Sequence, residues 1–356
     1  MASIEVERNM PRLPRIINSG VDYSDLQRVL DRCNSNNEHW GKVWEEVATM
    51  HEAIGDDALR DGRTISAGEA FQRASVCFHM AQATEHHDLD WKESLQWRQH
   101  AAFRKAMPYL RPPVQAIEVP YKGKSFPGYL RLPEGAPRPV PCVLLLAGLD
   151  STKEETVTNE ADFLKRGMAT FSFDGPGQSL TRVDFPLVPN IEWSVGAILD
   201  HLSKRADLDA NRFALWGRSV GGHTAPRAAA HDSRIKACVS IGGFYDWPWD
   251  RFRKESREEF AMVTHSPSVE AAEKVARAFT LEGLMPKVKC PLLIVHSQGD
   301  MVCDYRDAER MAREAGGPVQ LMLFPDGNHV CDNIPYKVRP LMADWLARQL
   351  GLSASW

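Results

Sequence analysis

The sequence predicts an α/β protein, a mostly parallel sheet with helices on both faces, preceded by a helical domain. Three observations predict it. Residues 22 to about 110 repeat apolar positions at three-to-four spacing, the period of helices that bury one face. From residue 111 onward, short apolar runs alternate with helix-like stretches, the rhythm of buried parallel strands and their crossovers. In "FALWGRSVGGHTAPRAAAH", residues 213–231, an apolar run ends at Gly217, Ser219 stands between glycines, and a helix-like stretch follows.

At 356 residues the chain exceeds one average domain, so a large domain plus an accessory segment is expected. A formal charge of −4 with no long basic run argues against nucleic acid or an anionic membrane as partner. The first twenty residues lack the charged-then-apolar pattern of a secretory signal, and no apolar run approaches bilayer length. Seven cysteines without a CxxC pair fit a reducing compartment, with thiols acting as small hydrophobes. The expected location is cytoplasmic.

In chain order, "DLQRVLDRC", "WGKVWEEVATMHEAI", "AGEAFQRASVCFHMAQA" and "WKESLQWRQHAAFRKAM" read as helices, with Ser24 and Ser66 as caps and Gly62 as a stop. The paired prolines of "LRPPVQ" cannot continue a helix, which places a boundary near residue 110. The expected domains are therefore a helical cap, 1–110, and a sheet domain, 111–356. "QAIEVPY" and "FPGYLRLP" around "KGKS" read as a hairpin. The runs "CVLLLAG", "MATFSFD", "FALWG", "IKACVSIGG", "PLLIVHS" and "VQLMLFPDG" read as strands, most of them separated by helices. Residues 247–287 are longer than a crossover needs and read as a polar, Trp-containing, cap-like insertion.

A strand–turn–helix carrying GxSxG holds its serine on a sharp bend with the hydroxyl exposed at the carboxyl edge of a sheet. Such a serine needs a base, and the base needs an orienting acid. Asp300 follows the run "PLLIVHS" and His329 follows "VQLMLFPDG", so the order Ser219, Asp300, His329 is that of an α/β-hydrolase. Asp304, at the next helix start, is a rival for the acid. The oxyanion donors expected are the backbone amides of Val220, after the nucleophile, and Leu149, in the loop after an early strand. His223 reads as a packing residue on the helix. "EHHD" at 85–88 reads as a polar loop rather than a metal site, Trp40, Trp44, Trp91 and Trp97 read as core, and "DGPGQS" at 174–179 reads as a glycine-bearing loop after a hydrolase strand. No cofactor and no metal are expected.

The stretches "GLDSTKEE", "FDGPGQS", "GRSVGG", "IGGFYDW", "GDMVCD", "GNHVCDN" and "MADWL" behind a helical domain resemble the 2,6-dihydroxypseudooxynicotine hydrolase family. They also resemble the related fungal hydrolases that shorten polyketide side chains in pigment synthesis. The resemblance implies cofactor-free cleavage of a carbon–carbon bond next to a ketone, with Ser219, Asp300 and His329 in the catalytic roles. It implies an additional acid soon after "GGF", for which Asp250 is the nearest candidate and Asp246 the next. The implied partner is a small aromatic or polyketide-like substrate, with a homodimer as a candidate assembly. A carboxylesterase or amidase could use the same residues, because fold and triad do not fix the bond. A non-catalytic binding protein would be marked by a broken triad.

Overall fold

The computed structural model describes residues 3–352. The outermost residues of the two expected domains, 1–2 and 353–356, lie outside the described residues. The chain forms two compact units. One holds the residues up to Gln115 together with Glu154–Thr158, and the other holds Ala116–Lys153 and the chain from Asn159 onward.

The helical unit comprises α1 (Ile4–Asn9), α2 (Leu13–Asn18), α3 (Tyr23–Ser35), α4 (Trp40–Arg60), α5 (Thr64–Gln82) and α6 (Leu89–Ala106). Its core is a continuous apolar cluster in which Trp40 and Trp44 of α4 meet Val29, Phe78 and Leu95 from neighbouring helices. Trp91 packs against that cluster, whereas Trp97 is 56% exposed and lies outside it. The caps differ from expectation. Helix α3 starts at Tyr23 behind Asp22, and α5 starts at Thr64 behind Arg63, so Ser24 and Ser66 lie inside the first turns. Gly62, at φ +73°, follows α4 as expected of a residue that lacks Cβ strain.

Glu154–Thr158, which come after the third strand in the sequence, join the helical unit through charge. The buried Glu155 carboxylate accepts from Arg15 Nε at 2.6 Å and Nη2 at 2.8 Å, and lies 3.3 Å from His79 Nε2. Burial alone would raise that carboxyl, but the Arg15 and His79 charges outweigh it and hold it well below its ordinary value.

The other unit is an eight-stranded sheet. Its elements in chain order are β1 (Val114–Tyr121), β2 (Lys124–Arg131), β3 (Val140–Leu146), α7 (Val157–Leu164), β4 (Ala169–Phe173), α8 (Glu192–Leu202), β5 (Leu208–Arg218) and α9 (Val220–Ala229). Next come β6 (Ile235–Ile241), α10 (Lys254–Val263), α11 (Val269–Ala276), β7 (Leu292–Ser297), α12 (Tyr305–Glu314), β8 (Val319–Phe324) and α13 (Pro335–Gln349). The spatial order is β1-β2-β4-β3-β5-β6-β7-β8, with β2 antiparallel to β4 and every pairing from β4 through β8 parallel.

Strand alternation sorts an unbroken apolar run onto two faces. Leu144 and Leu146 of β3 join Val195 and Ile198 of α8 and Met311 of α12. Val143 and Leu145 turn to the opposite face, where Val338, Met342 and Leu346 of α13 cover them. Both faces are thus buried, as a parallel sheet requires. The segment 247–287 contributes α10 and α11 and packs a ring cluster, with Trp247 centred 4.2 Å from Phe260 and 5.0 Å from Phe279. This cluster also includes Leu187, Ile191 and Val220.

Candidate active site

The serine sits where β5 becomes α9. Ser219 adopts φ +54°, ψ −114°, a conformation L-residues avoid, and its N–H donates to Ile241 O of β6 at 2.9 Å. A Cβ on Gly217 would stand 1.9 Å from Gly221 O, and one on Gly221 would stand 1.9 Å from Leu146 O. The two glycines of the motif are therefore required by the close approach of backbone to backbone.

Two loops from later strands converge on that hydroxyl. His329, just past β8, places Nε2 3.0 Å from Ser219 Oγ and Nδ1 2.8 Å from Asp300 Oδ2. The other Asp300 oxygen accepts the N–H groups of Val302 at 2.7 Å and Cys303 at 2.9 Å. Burial pushes the Asp300 carboxyl up, but His329 and these two amides together hold it below its ordinary value, so it stays ionised. Ser219, His329 and Asp300, more than a hundred residues apart at the extremes, form one hydrogen-bonded line.

The sequence did not signal how the two loops are locked. Ser297 Oγ accepts from Gly299 N at 3.0 Å and donates to Gly327 O, tying the Asp300 turn to the His329 turn. Behind His329, Val330 at φ +51° and Cys331 at φ +55° are both left-handed, an unusual conformation for a β-branched residue. Gly242 makes room for this turn, because a Cβ there would meet Val330 Cγ1 at 2.7 Å. The "GG" after β6 was the available signal.

The amides of Leu149 and Val220 donate to no other protein group among the described residues. Both residues line one pocket with Leu146, Phe173, Leu187 and Ile191. Two hydroxyls also border it, but Ser194 donates to Ile191 O at 2.8 Å and Thr224 to Val220 O at 2.9 Å. The wall facing a ligand is therefore mainly apolar. Such an arrangement can transfer a proton from Ser219 to His329 and hold an oxyanion on two N–H groups.

Other candidates fall elsewhere. Asp304 accepts from Arg306 N at 3.0 Å and caps α12, leaving His329 to Asp300. Asp250 and Asp246, expected as candidates for an additional acid, lie on the solvent side. Asp250 is 78% exposed and pairs with Arg277, and Asp246 is 58% exposed and pairs with Arg310. In "DWPWD" the two tryptophans take the buried positions and leave the carboxylates on the solvent side. His223 is buried, stacks on Phe244 at 4.7 Å, and is pulled down to about 3 by burial, so it stays neutral. In "EHHD", Glu85 accepts the N–H groups of His87 and Asp88, and Asp88 caps α6. The one group of metal-capable side chains found among the described residues is Asp25, His51 and Cys77 in the helical unit, where His51 Nε2 lies 2.6 Å from Asp25 Oδ2.

The family described as Esterase FrsA-like matches residues 5–247, and the prolyl oligopeptidase family matches residues 195–353. The chain is 32% identical over 355 residues to 2,6-dihydropseudooxynicotine hydrolase of Paenarthrobacter nicotinovorans, covering 97% of this chain and 93% of that one. The crystal structure of the 2,6-dihydroxy-pseudo-oxynicotine hydrolase matches with a TM-score of 0.88 at 32% identity, covering 95% of each chain. Hydrolyase poxO of Penicillium oxalicum is 35% identical over 235 residues, 62% of this chain and 55% of its own length, so the match spans about half of that fungal relative. No helix among the described residues is long and apolar enough to cross a membrane. The chain belongs to the FrsA-like family of α/β-hydrolases, as an enzyme related over nearly its whole length to 2,6-dihydropseudooxynicotine hydrolase.

Proposed function

We propose that the protein hydrolyses a carbon–carbon bond next to a ketone, removing an acyl side chain from a hydroxylated ring or β-diketone. The observation that carries this reading is the Ser219–His329–Asp300 line beside two unpartnered amides, in a chain related over 97% of its length to a hydrolase named for an oxynicotine substrate. Ser219 Oγ attacks the side-chain carbonyl while His329 Nε2 takes its proton. The oxyanion lies on the Leu149 and Val220 amides. As the carbonyl re-forms, the carbon–carbon bond breaks, its electron pair leaves on the ring carbon, and His329 returns the proton there. Water then attacks the acyl-serine, again through His329, and releases the acid. One water is consumed and no cofactor is needed.

A simple carbanion is too basic to leave near neutral pH. The leaving fragment must spread that charge, as a polyhydroxylated ring or an enolisable diketone does. An ester needs no such help, and the esterase description of the family favours carboxylester cleavage as the second reading. The helical unit is proposed to be required for bulky substrates, and the cytoplasm is proposed as the location.

A panel of hydroxyaryl ketones and esters of matched acyl group, assayed in heavy water, separates the two. Deuterium on the ring carbon that carried the acyl group, above exchange without enzyme, is expected, and Ser219→Ala should abolish it. Rapid ester cleavage with no ketone cleavage across the panel would make the protein a carboxylesterase.

A further inference from the structure

Leu149 lies in a turn outside any helix or strand, yet an oxyanion donor must be fixed before the reaction begins. We propose that Gln178 is the positioning residue that fixes it. This rests on the reading of the Leu149 amide as an oxyanion donor.

Gly148 C=O and Leu149 N–H belong to one planar trans peptide, so they point in opposite directions. Gln178 Nε2 donates to Gly148 O at 2.7 Å. Holding that oxygen on one side therefore aims the Leu149 N–H to the other. The peptide lies beside the nucleophile, because a Cβ on Gly148 would be 3.6 Å from Ser219 Cβ.

Gln178 is itself held. Its Oε1 accepts Gly175 N at 2.8 Å while its Nε2 holds Gly148 O, so both ends of the side-chain amide are engaged in the only sense that pairs donor with acceptor, and its backbone N–H donates to Gly175 O at 3.1 Å. The residue is 8% exposed, so water is a poor substitute for its side chain. The same loop after β4 grips the far end of the donor loop. Asp174 accepts Lys153 N at 2.8 Å and Lys153 Nζ at 2.7 Å. Residues 174–178 thus clamp residues 148–153 at both ends, which gives "DGPGQS" a purpose beyond its glycines.

Without Gln178, Gly148 O is left with the long 3.4 Å bond from Ser151 N, and the 148–149 peptide can rotate, withdrawing its N–H and turning a carbonyl oxygen toward the developing negative charge. Removal of one oxyanion donor costs about 10²–10³ in kcat. The test uses the full chain with Gln178→Glu, which keeps the shape and loses the donor, and Gln178→Met, which carries no charge should the first fail to fold. Three quantities are read: kcat and KM on the cleaved substrate of the panel, affinity for an aryl boronic acid that forms a tetrahedral adduct on Ser219, and affinity for the aryl product.

The expected result is a fall of about 10²-fold in kcat with KM within about threefold, a parallel loss of boronate affinity, and unchanged product affinity. A merely structural residue would weaken boronate and product together and lower the melting temperature in step. That outcome, or boronate affinity and kcat both near wild type, overturns the proposal. Ser219→Ala in the same assay keeps the two ideas apart. Residual turnover there would sink the triad reading, whereas a dead Ser219→Ala with normal Gln178 variants would sink only the clamp.

Discussion

Replacing Asp300 by Asn removes one charge and leaves a nearly identical shape. The Asn oxygen can still accept from Val302 and Cys303, which turns its NH₂ group toward His329 Nδ1. Facing a donor, Nδ1 must be the unprotonated nitrogen. The ring proton then sits on Nε2, directed at Ser219, and the base can no longer take the hydroxyl proton. The charge matters as well. At the 2.8 Å separation of His329 Nδ1 and Asp300 Oδ2, opposite unit charges attract by about 6 kcal/mol at an effective dielectric constant near 20. That is worth roughly four decades of rate if all of it appears in the transition state, where His329 is cationic. The expected fall in kcat is therefore about 10³–10⁴-fold. The second-order rate of inactivation by a fluorophosphonate reads the same base without a known substrate. An Asp300→Asn protein that melts like wild type yet reacts within about tenfold of it would refute the reasoning.

Two further perturbations probe other parts of the chain. The folded Glu155 carboxyl lies below its ordinary value of 4.5, so its stabilisation is present above that pH and is lost as pH falls through the lower folded value. Glu155→Gln should therefore destabilise the protein by roughly 3 kcal/mol at pH 7, and the gap between the melting curves of variant and wild type should narrow progressively as pH falls below 4.5. A gap that stayed constant with pH would rule out charge as the cause. In the pocket beside the two amides, Leu187→Phe adds bulk to an apolar wall. It should cut kcat/KM for long acyl chains by about 10–100-fold relative to short ones, and an unchanged chain-length profile would remove this pocket from the acyl path.

What the sequence revealed follows from how local each signal is. Ser219, Asp300 and His329 stand out because each follows a buried apolar run, and the chemistry admits few residue types there. The strands of the sheet stand out for the same reason. The face each residue takes does not: Val143 and Leu144 read alike, and only packing separates them. Nearness in sequence to "GGF" singles out Asp250, but Trp247 and Trp249 compete better for the interior. The bond from Gln178 to Gly148 joins a side chain to a backbone oxygen thirty residues away, a contact no periodicity reports. The pairing of Arg15 with Glu155 spans 140 residues and is invisible for the same reason.

Because Glu154–Thr158 belong to the helical unit, the backbone passes between the two units three times, at Gln115–Ala116, Lys153–Glu154 and Thr158–Asn159. The helical unit is therefore not a cassette appended to one end of a gene. Exchanging it between relatives by a single cut near residue 115 would leave Glu155 from one parent facing residue 15 of another. A chimaera that respects the fold needs a second graft, residues 154–158, carried along with the helices they pair with. Lineages that reshape the helices face the same constraint, since a change at Arg15 or His79 must be matched at Glu155, more than seventy residues away along the chain.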